Sequence, residues 1–170
     1  VRAFVRDWPD LRAEPLDGAA LLVHVSMGNE SLDEVGDLPI PKAVVYHNIT
    51  PARFFDGVSE HNRHYAELGR EQLARLATRS ELGIGDSEFN RKELETAGYA
   101  KTAVVPILID WSAYDVPPDA AVLARLRSGG TAIVAMGQLL PQKAIHDVSA
   151  ALRSGWTGMV RPLPILAAPS

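Results

Sequence analysis

The sequence contains no cysteine, which excludes disulfides, thiolate metal ligands and a cysteine nucleophile. It has no excess of basic residues either. The 17 Lys and Arg stand against 21 Asp and Glu, and the net charge of −4 argues against a nucleic-acid partner. No apolar run approaches the ~18 residues of a membrane span, and the first residues lack the apolar core of a signal peptide. We therefore expect no transmembrane segment and a cytoplasmic location.

The chain has 170 residues, enough for one domain, or for one domain and part of another. Hydrophobic residues make up 46% of it and charged residues 22%, which is an ordinary composition that allows a sizeable core. The sequence begins at Val1 without an initiator Met, and we expect it to lack its N-terminal start.

Short apolar runs rich in Val, Ile and Ala each end in a polar or glycine loop. They cover residues 20–25, 42–46, 82–85, 102–105 and 131–136. Near-continuous runs of this kind are typical of strands buried on both faces of a parallel sheet. Helical patterns lie between them, at about 60–78, from Ser87 to Gly98, at about 118–127 and at about 144–152. The alternation predicts an α/β fold with a Rossmann-like, doubly wound parallel sheet.

The stretch 106–130 interrupts this alternation with Trp111, Tyr114 and a pair of prolines. We expect a Rossmann-like domain over 1–110 and an interdomain connector over 111–130. The residues 131–170 would be the truncated beginning of a second Rossmann-like domain, because one strand and one helix cannot bury a core of their own.

Ligands bind beyond the carboxyl ends of the strands in an open parallel sheet. His47 follows such a strand, and a histidine there can contact a sugar hydroxyl or a phosphate, or act as a base. A loop histidine bonded to backbone carbonyls is the alternative. His24 lies inside a strand and is expected to be structural. His61 and His64 stand three residues apart on a helix without an evident third metal ligand, so we expect a solvated face and no metal site.

Two further motifs admit more than one reading. Gly85-Asp86-Ser87 after a strand is similar to the nucleophile block of GDSL-type esterases, but no Asp-x-x-His occurs in the chain, and an N-cap role explains Ser87 equally well. The segment from Gly137 through Gln138 to Lys143 follows the strand at 131–136. Such a turn can hold a diphosphate through backbone N–H groups and one cation, or be an ordinary surface turn.

Together the segments 44–51, 69–73 with 85–94, and 106–110 with 136–143 resemble family 4 glycosyltransferases, which are retaining enzymes of the GT-B type with two Rossmann-like domains. The likeness spans about residues 20–152. It implies transfer of a sugar from a nucleotide-sugar donor to a carbohydrate or lipid-linked acceptor without a metal or other cofactor. An enzyme with a lipid acceptor would dock at the inner face of the membrane.

The resemblance also implies site residues. His47 would be the catalytic histidine near the donor sugar, and Lys143 would neutralise the leaving diphosphate beside Gly137 and Gln138. Other polar and glycine residues at the same edge would contact substrate: Ser26, Gly28, Asn29, Asn48, Asp86, Ser87 and Asn90.

The chain departs from the family at two points. Gln138 stands where the family has an arginine, and no Glu has a second Glu eight positions on, so the donor-sugar motif is missing. We therefore expect little or no turnover from this chain alone. A non-catalytic binding fragment of the same fold is the main alternative, and a serine esterase using Ser87 is a weaker one.

Overall fold

The computed structural model describes residues 15–128 and the single residues Asp7, Trp8, Asp10, Ala13, Asp147 and Ala150. The chain divides into two compact units, Val1–Leu108 and Ile109–Ser170. The predicted strand at 131–136 lies outside the described residues, and Asp147 and Ala150 of the predicted last helix are helical.

Four parallel strands form one sheet in the first unit. They are β1 (Leu21–Val25), β2 (Lys42–Tyr46), β3 (Leu82–Gly85) and β4 (Thr102–Val104), and they lie in the order β1-β2-β3-β4. This confirms the α/β class and a parallel, Rossmann-like sheet. In a doubly wound sheet the spatial order of the strands reverses at one point. The four described strands lie in chain order, so no such reversal occurs between them.

The helices of the first unit are α1 (Leu32–Asp37), α2 (Glu60–Ala77) and α3 (Glu88–Thr96), with a 3₁₀ helix at Ala52–Phe55. The predicted helix bounds are confirmed to within a residue or two, whereas α1 was not predicted. The Ser87 side chain accepts a hydrogen bond from the Asn90 N–H, which confirms its N-cap role. Gly98 follows α3 at φ +103°, a conformation that favours glycine at the end of a helix.

The core of the first unit lies between one face of the sheet and the helices. Val23, Val25, Val44 and Tyr46 alternate along β1 and β2 and are buried against apolar residues of α2 and α3. The alternate positions of the strands lie on the opposite face. Leu22, on that face, is 58% exposed within the described part of the chain. The one-directional strand order explains this, since right-handed crossovers then place every helix on the same face.

The second unit contains a 3₁₀ helix at Trp111–Tyr114 and the helix α4 (Ala120–Arg127). The Asp119 carboxylate accepts hydrogen bonds from the N–H groups of Ala121 and Val122, at 2.8 and 2.9 Å, and so caps α4. The predicted helix at 118–127 is therefore confirmed.

Candidate functional site

Three side chains meet at the carboxyl ends of β1, β2 and β3. His24 pairs in register with Val45, and Val45 pairs with Ile84. His47 and Asp86 each lie two residues beyond those partners, so the period-two alternation of strands places them on the same face of the sheet as His24. The register itself thus brings these residues together.

The three side chains form a continuous chain of hydrogen bonds, which we call the histidine relay. The Nδ1 of His47 lies 2.8 Å from Oδ2 of Asp86, and the Nε2 of His47 lies 2.7 Å from Nδ1 of His24. The two imidazole rings are nearly parallel, at 13°, with their centroids 5.0 Å apart. Both nitrogens of His47 are therefore engaged, and one nitrogen of His24, Nε2, lies beyond the relay.

With Asp86 ionised and both imidazoles neutral, the chemistry of the groups gives the relay one direction. An ionised carboxylate only accepts hydrogen bonds, so His47 donates from Nδ1 to Asp86. The Nε2 of a neutral His47 is then an acceptor, and His24 donates to it from Nδ1. The side chain of Asp86 is 15% exposed and that of His47 is 30% exposed, while His24 is exposed. The relay thus runs from a half-buried carboxylate to an exposed imidazole.

The Tyr46 hydroxyl anchors the loop that carries His47. The buried hydroxyl accepts a hydrogen bond from the Ile49 N–H at 3.0 Å and donates to Oε2 of Glu93 at 2.8 Å. Burial and the Glu93 carboxylate raise the pKa of Tyr46 to about 12. Between the two anchored residues, Asn48 adopts φ +74°, a left-handed conformation that asparagine tolerates better than most residues.

Arg70 of α2 fixes the same loop from the side. Its guanidinium donates to the Ile49 carbonyl at 2.5 Å and to Oε1 of Glu93 at 3.4 Å. The arginine therefore ties α2, the loop and α3 together. The position of His47 follows from contacts of three different elements.

The segment after β1 is attached to α2 through its backbone. The Gly28 N–H donates to the Tyr65 carbonyl at 2.9 Å, and the Asn29 N–H donates to Oε1 of Gln72 at 3.0 Å. The buried Gln72 also donates to the Asn29 carbonyl at 2.7 Å. These contacts assign a packing role to Gly28 and Asn29, and contact of either with substrate stays a prediction. Ser26, beside them, is exposed.

Ser87 and Asn90 lie behind the relay, at the start of α3. Asn90 is buried and its side-chain amide donates to the Tyr46 carbonyl at 3.4 Å, so it joins α3 to β2. The ring nitrogens of His47 face Asp86 and His24 rather than Ser87. This is not the arrangement of a serine activated by a histidine base.

A groove of about 520 Å³ runs along β1, and His24 is the relay residue that lines it. Its volume is within the usual range for small-molecule sites. Apolar side chains line it, among them Leu22 and Val35. Its polar residues are His24, Ser26, Asn29 and Ser31. The groove therefore gives a ligand access to the exposed end of the relay.

Sequence reasoning singled out His47 and Asp86 and took His24 for a structural residue. In the structure the imidazole of His24 is exposed and bonded to His47, a contact that was not predicted. The available signal was the alternation along the strands, which puts positions 24 and 47 on one face once the register is known. His61 and His64 are exposed and lie against the Tyr65 ring. Within the described residues, no group of three or more His, Cys, Asp and Glu is arranged to hold a metal ion.

The predicted diphosphate-binding residues Gly137, Gln138 and Lys143 lie outside the described residues. Among the helices that the structure describes, none is both long and apolar enough to cross a membrane. Comparison of the chain with protein families, curated proteins and solved structures found no match to any of them.

Proposed function

We propose that this chain is the acceptor-binding part of a retaining glycosyltransferase, which transfers a sugar from a nucleotide-sugar to a carbohydrate or lipid-linked acceptor. The observation that carries the proposal is the histidine relay at the carboxyl edge of a parallel sheet. That edge is where open α/β sheets bind ligands. The resemblance of the sequence to family 4 glycosyltransferases, which includes the segments with His47 and Asp86, supports the same conclusion.

A pair of hydrogen-bonded imidazoles suits a ligand rich in hydroxyl groups. A hydroxyl can both donate and accept hydrogen bonds, and the one ring nitrogen that the relay leaves unused, Nε2 of His24, offers it a partner. Asp86 holds the His47 ring in one tautomer and orientation, as the carboxylate does in an Asp-His pair of a hydrolase. A sugar hydroxyl would then meet a preformed partner, which lowers the entropic cost of binding.

The leaving diphosphate requires cations, and Lys143 is the residue that the resemblance assigns to it. Gln138 replaces the second cation of the family. We therefore propose that the chain alone binds nucleotide-sugar weakly and turns it over slowly or not at all. The main alternative is a binding protein of the same fold that never transfers sugar.

Binding of a panel of nucleotide-sugars, followed by saturation-transfer NMR, tests the proposal. We expect at least one member to bind, and we expect Lys143→Gln to weaken it about tenfold through loss of a polar contact. His47→Gln should weaken it by a similar factor, because it breaks the relay that orients His24. His61→Gln is the matched control, since His61 is an exposed histidine of α2 outside the relay. The proposal is overturned if no nucleotide-sugar binds, or if the His47 and His61 variants bind equally well.

A transfer assay with labelled donor and simple glycosides separates the alternatives. Transfer that depends on His47, even if slow, supports the enzyme, and weak donor binding without transfer is the result that the proposal expects of a chain with one diphosphate cation missing. Tight donor binding without any transfer supports the binding protein. Hydrolysis of an aryl ester that is lost in Ser87→Ala would instead establish the serine esterase and overturn the proposal.

A further inference from the structure

The end of the relay that meets solvent belongs to His24, not to His47. Both ring nitrogens of His47 are engaged, at 2.8 Å to Asp86 and at 2.7 Å to His24. The Nδ1 of His24 is engaged as well, which leaves its Nε2 as the ring nitrogen that neither hydrogen bond uses. His24 is exposed and lines the groove along β1, next to Ser26 and Asn29.

The tautomer of His24 follows from the charge at the other end of the relay. Asp86 accepts, so His47 carries its proton on Nδ1 and accepts at Nε2. His24 must then carry its own proton on Nδ1 to donate to that nitrogen. The Nε2 of His24 consequently carries a lone pair and no proton, so it can accept a hydrogen bond but cannot donate one. Through two hydrogen bonds, the half-buried carboxylate of Asp86 thus determines which ring nitrogen of the exposed His24 carries the proton.

We propose that Nε2 of His24 accepts a hydrogen bond from a sugar hydroxyl bound in the groove, and that His47 and Asp86 are positioning residues that fix His24 in this accepting tautomer. The inference rests on the proposed function for the class of ligand, but the tautomer follows from the two hydrogen bonds and the negative charge of Asp86. The accepting nitrogen needs a hydrogen-bond donor, which a sugar hydroxyl supplies. An ether oxygen or a fluorine at the same place would leave the hydrogen bond unmade.

Replacement of Asp86 by asparagine should reverse the relay. The amide can donate from Nδ2 to Nδ1 of His47, which then carries its proton on Nε2 and donates to His24. His24 would in turn carry its proton on Nε2 and become a donor toward the ligand. The variant therefore converts a site that requires a hydroxyl into one that also takes an acceptor.

Long-range ¹H–¹⁵N NMR of the imidazoles in the full chain tests the tautomers directly. We expect both His24 and His47 to be protonated on Nδ1, and Asp86→Asn to move both protons to Nε2. Asp56→Asn is the matched control, since Asp56 is an exposed aspartate outside the relay, and it should change neither. Protonation of His24 on Nε2 in the unaltered chain would overturn the inference.

Ligand contact is tested with methyl α-glucoside and its monodeoxyfluoro analogues as probes. The glucoside should shift the Nε2 resonance of His24, and His24→Gln should weaken its binding about tenfold. One fluoro analogue should bind to the unaltered chain about tenfold more weakly than the glucoside does. To the Asp86→Asn variant, the same analogue and the glucoside should bind about equally well. Because His24 is exposed, we expect its variant to fold, and urea unfolding checks this.

The two proposals fail in different ways. A glucoside that shifts His24 while no nucleotide-sugar binds supports the inference and refutes the glycosyltransferase. Nucleotide-sugar binding that depends on His47, without any shift of His24 by the glucoside, supports the enzyme and overturns the inference.

Discussion

Two buried tyrosines differ in whether the hydroxyl group has a hydrogen-bond partner. The hydroxyl of Tyr46 has two close partners, Glu93 and the Ile49 N–H. The buried hydroxyl of Tyr99 has no hydrogen-bond partner within the described part of the chain, and burial raises its pKa above the usual range. Hydrogen bonding, rather than burial of the ring, distinguishes the two.

The substitution Tyr46→Phe should therefore lower the free energy of unfolding by about 1–3 kcal/mol, since it leaves the buried Ile49 N–H without a partner. Tyr99→Phe removes a hydroxyl that pays a desolvation cost, and should leave the stability unchanged or raise it slightly. Urea titration of both variants measures the difference. Equal destabilisation of the two variants would show that the hydrogen bonds of Tyr46 do not stabilise the fold more than the unpartnered hydroxyl of Tyr99 does.

Two helical glycines, Gly69 of α2 and Gly36 of α1, lie in close contact with neighbouring segments. Gly69 lets the loop after β1 approach α2. A Cβ on Gly69 would lie 2.5 Å from the Gly28 nitrogen, which is backbone and cannot yield like a side chain. A Cβ on Gly36 of α1 would lie 3.0 Å from a terminal methyl of Leu76. The two positions thus differ in what must move, although both are helical.

We expect Gly69→Ala to lower the free energy of unfolding by about 2 kcal/mol, because the backbone clash outweighs the gain of roughly 1 kcal/mol in helix propensity. Gly36→Ala should change it by less than about 1 kcal/mol, as the Leu76 side chain can rotate. Denaturant midpoints at equal m-value give both numbers. A stable Gly69 variant would mean that the loop has another position against α2.

At the scale of elements, Asp33 links α1 to α2. Its carboxylate accepts two hydrogen bonds from Arg75, at 2.8 and 2.9 Å, and one from Gln72 at 3.0 Å. The hydrogen bonds from Arg75 and Gln72 lower the pKa of Asp33 to about 2. The short helix α1 is therefore fixed by one carboxylate as well as by its apolar side chains.

This link makes the stability depend on pH in a defined window. The folded state holds the carboxylate ionised below its usual pKa, so the contribution is complete above about pH 4 and is lost as the pH falls toward 2. Asp33→Asn should be less stable than the unaltered chain at pH 6 and nearly as stable at pH 2. Unfolding by urea at several pH values tests this, and parallel curves for the two proteins would contradict it.

The elements could be predicted where one signal dominates. The runs at 42–46 and 82–85 match β2 and β3, and the serine and glycine caps located α3. The helix α1 could not be predicted because its six residues span less than two turns and carry few apolar positions. The relay could be predicted only in part. Loop positions indicated His47 and Asp86, but the contact with His24 depends on strand register, a non-local property.

At the scale of the whole molecule, the buried apolar residues of the described part lie between Val23 and Tyr99, all in the unit Val1–Leu108. The unit thus holds a core of its own, and folding should not require the residues after it.

A chain that ends after Leu108 should therefore unfold cooperatively, with a urea midpoint close to that of the same unit in the full chain. Circular dichroism and a single set of dispersed amide resonances would establish that it folds. A shortened chain that is unfolded would show that the second unit contributes to the core of the first.

The histidine relay also has a consequence for folding. It spans the ends of three adjacent strands, and its two contacts are 2.7 and 2.8 Å long. A slip of one residue between strands moves the partner by about 3.3 Å and turns it to the opposite face. The imidazole resonances therefore report whether the three strands are aligned in the native register. They should reach their native values during refolding only when β1, β2 and β3 have settled into mutual register.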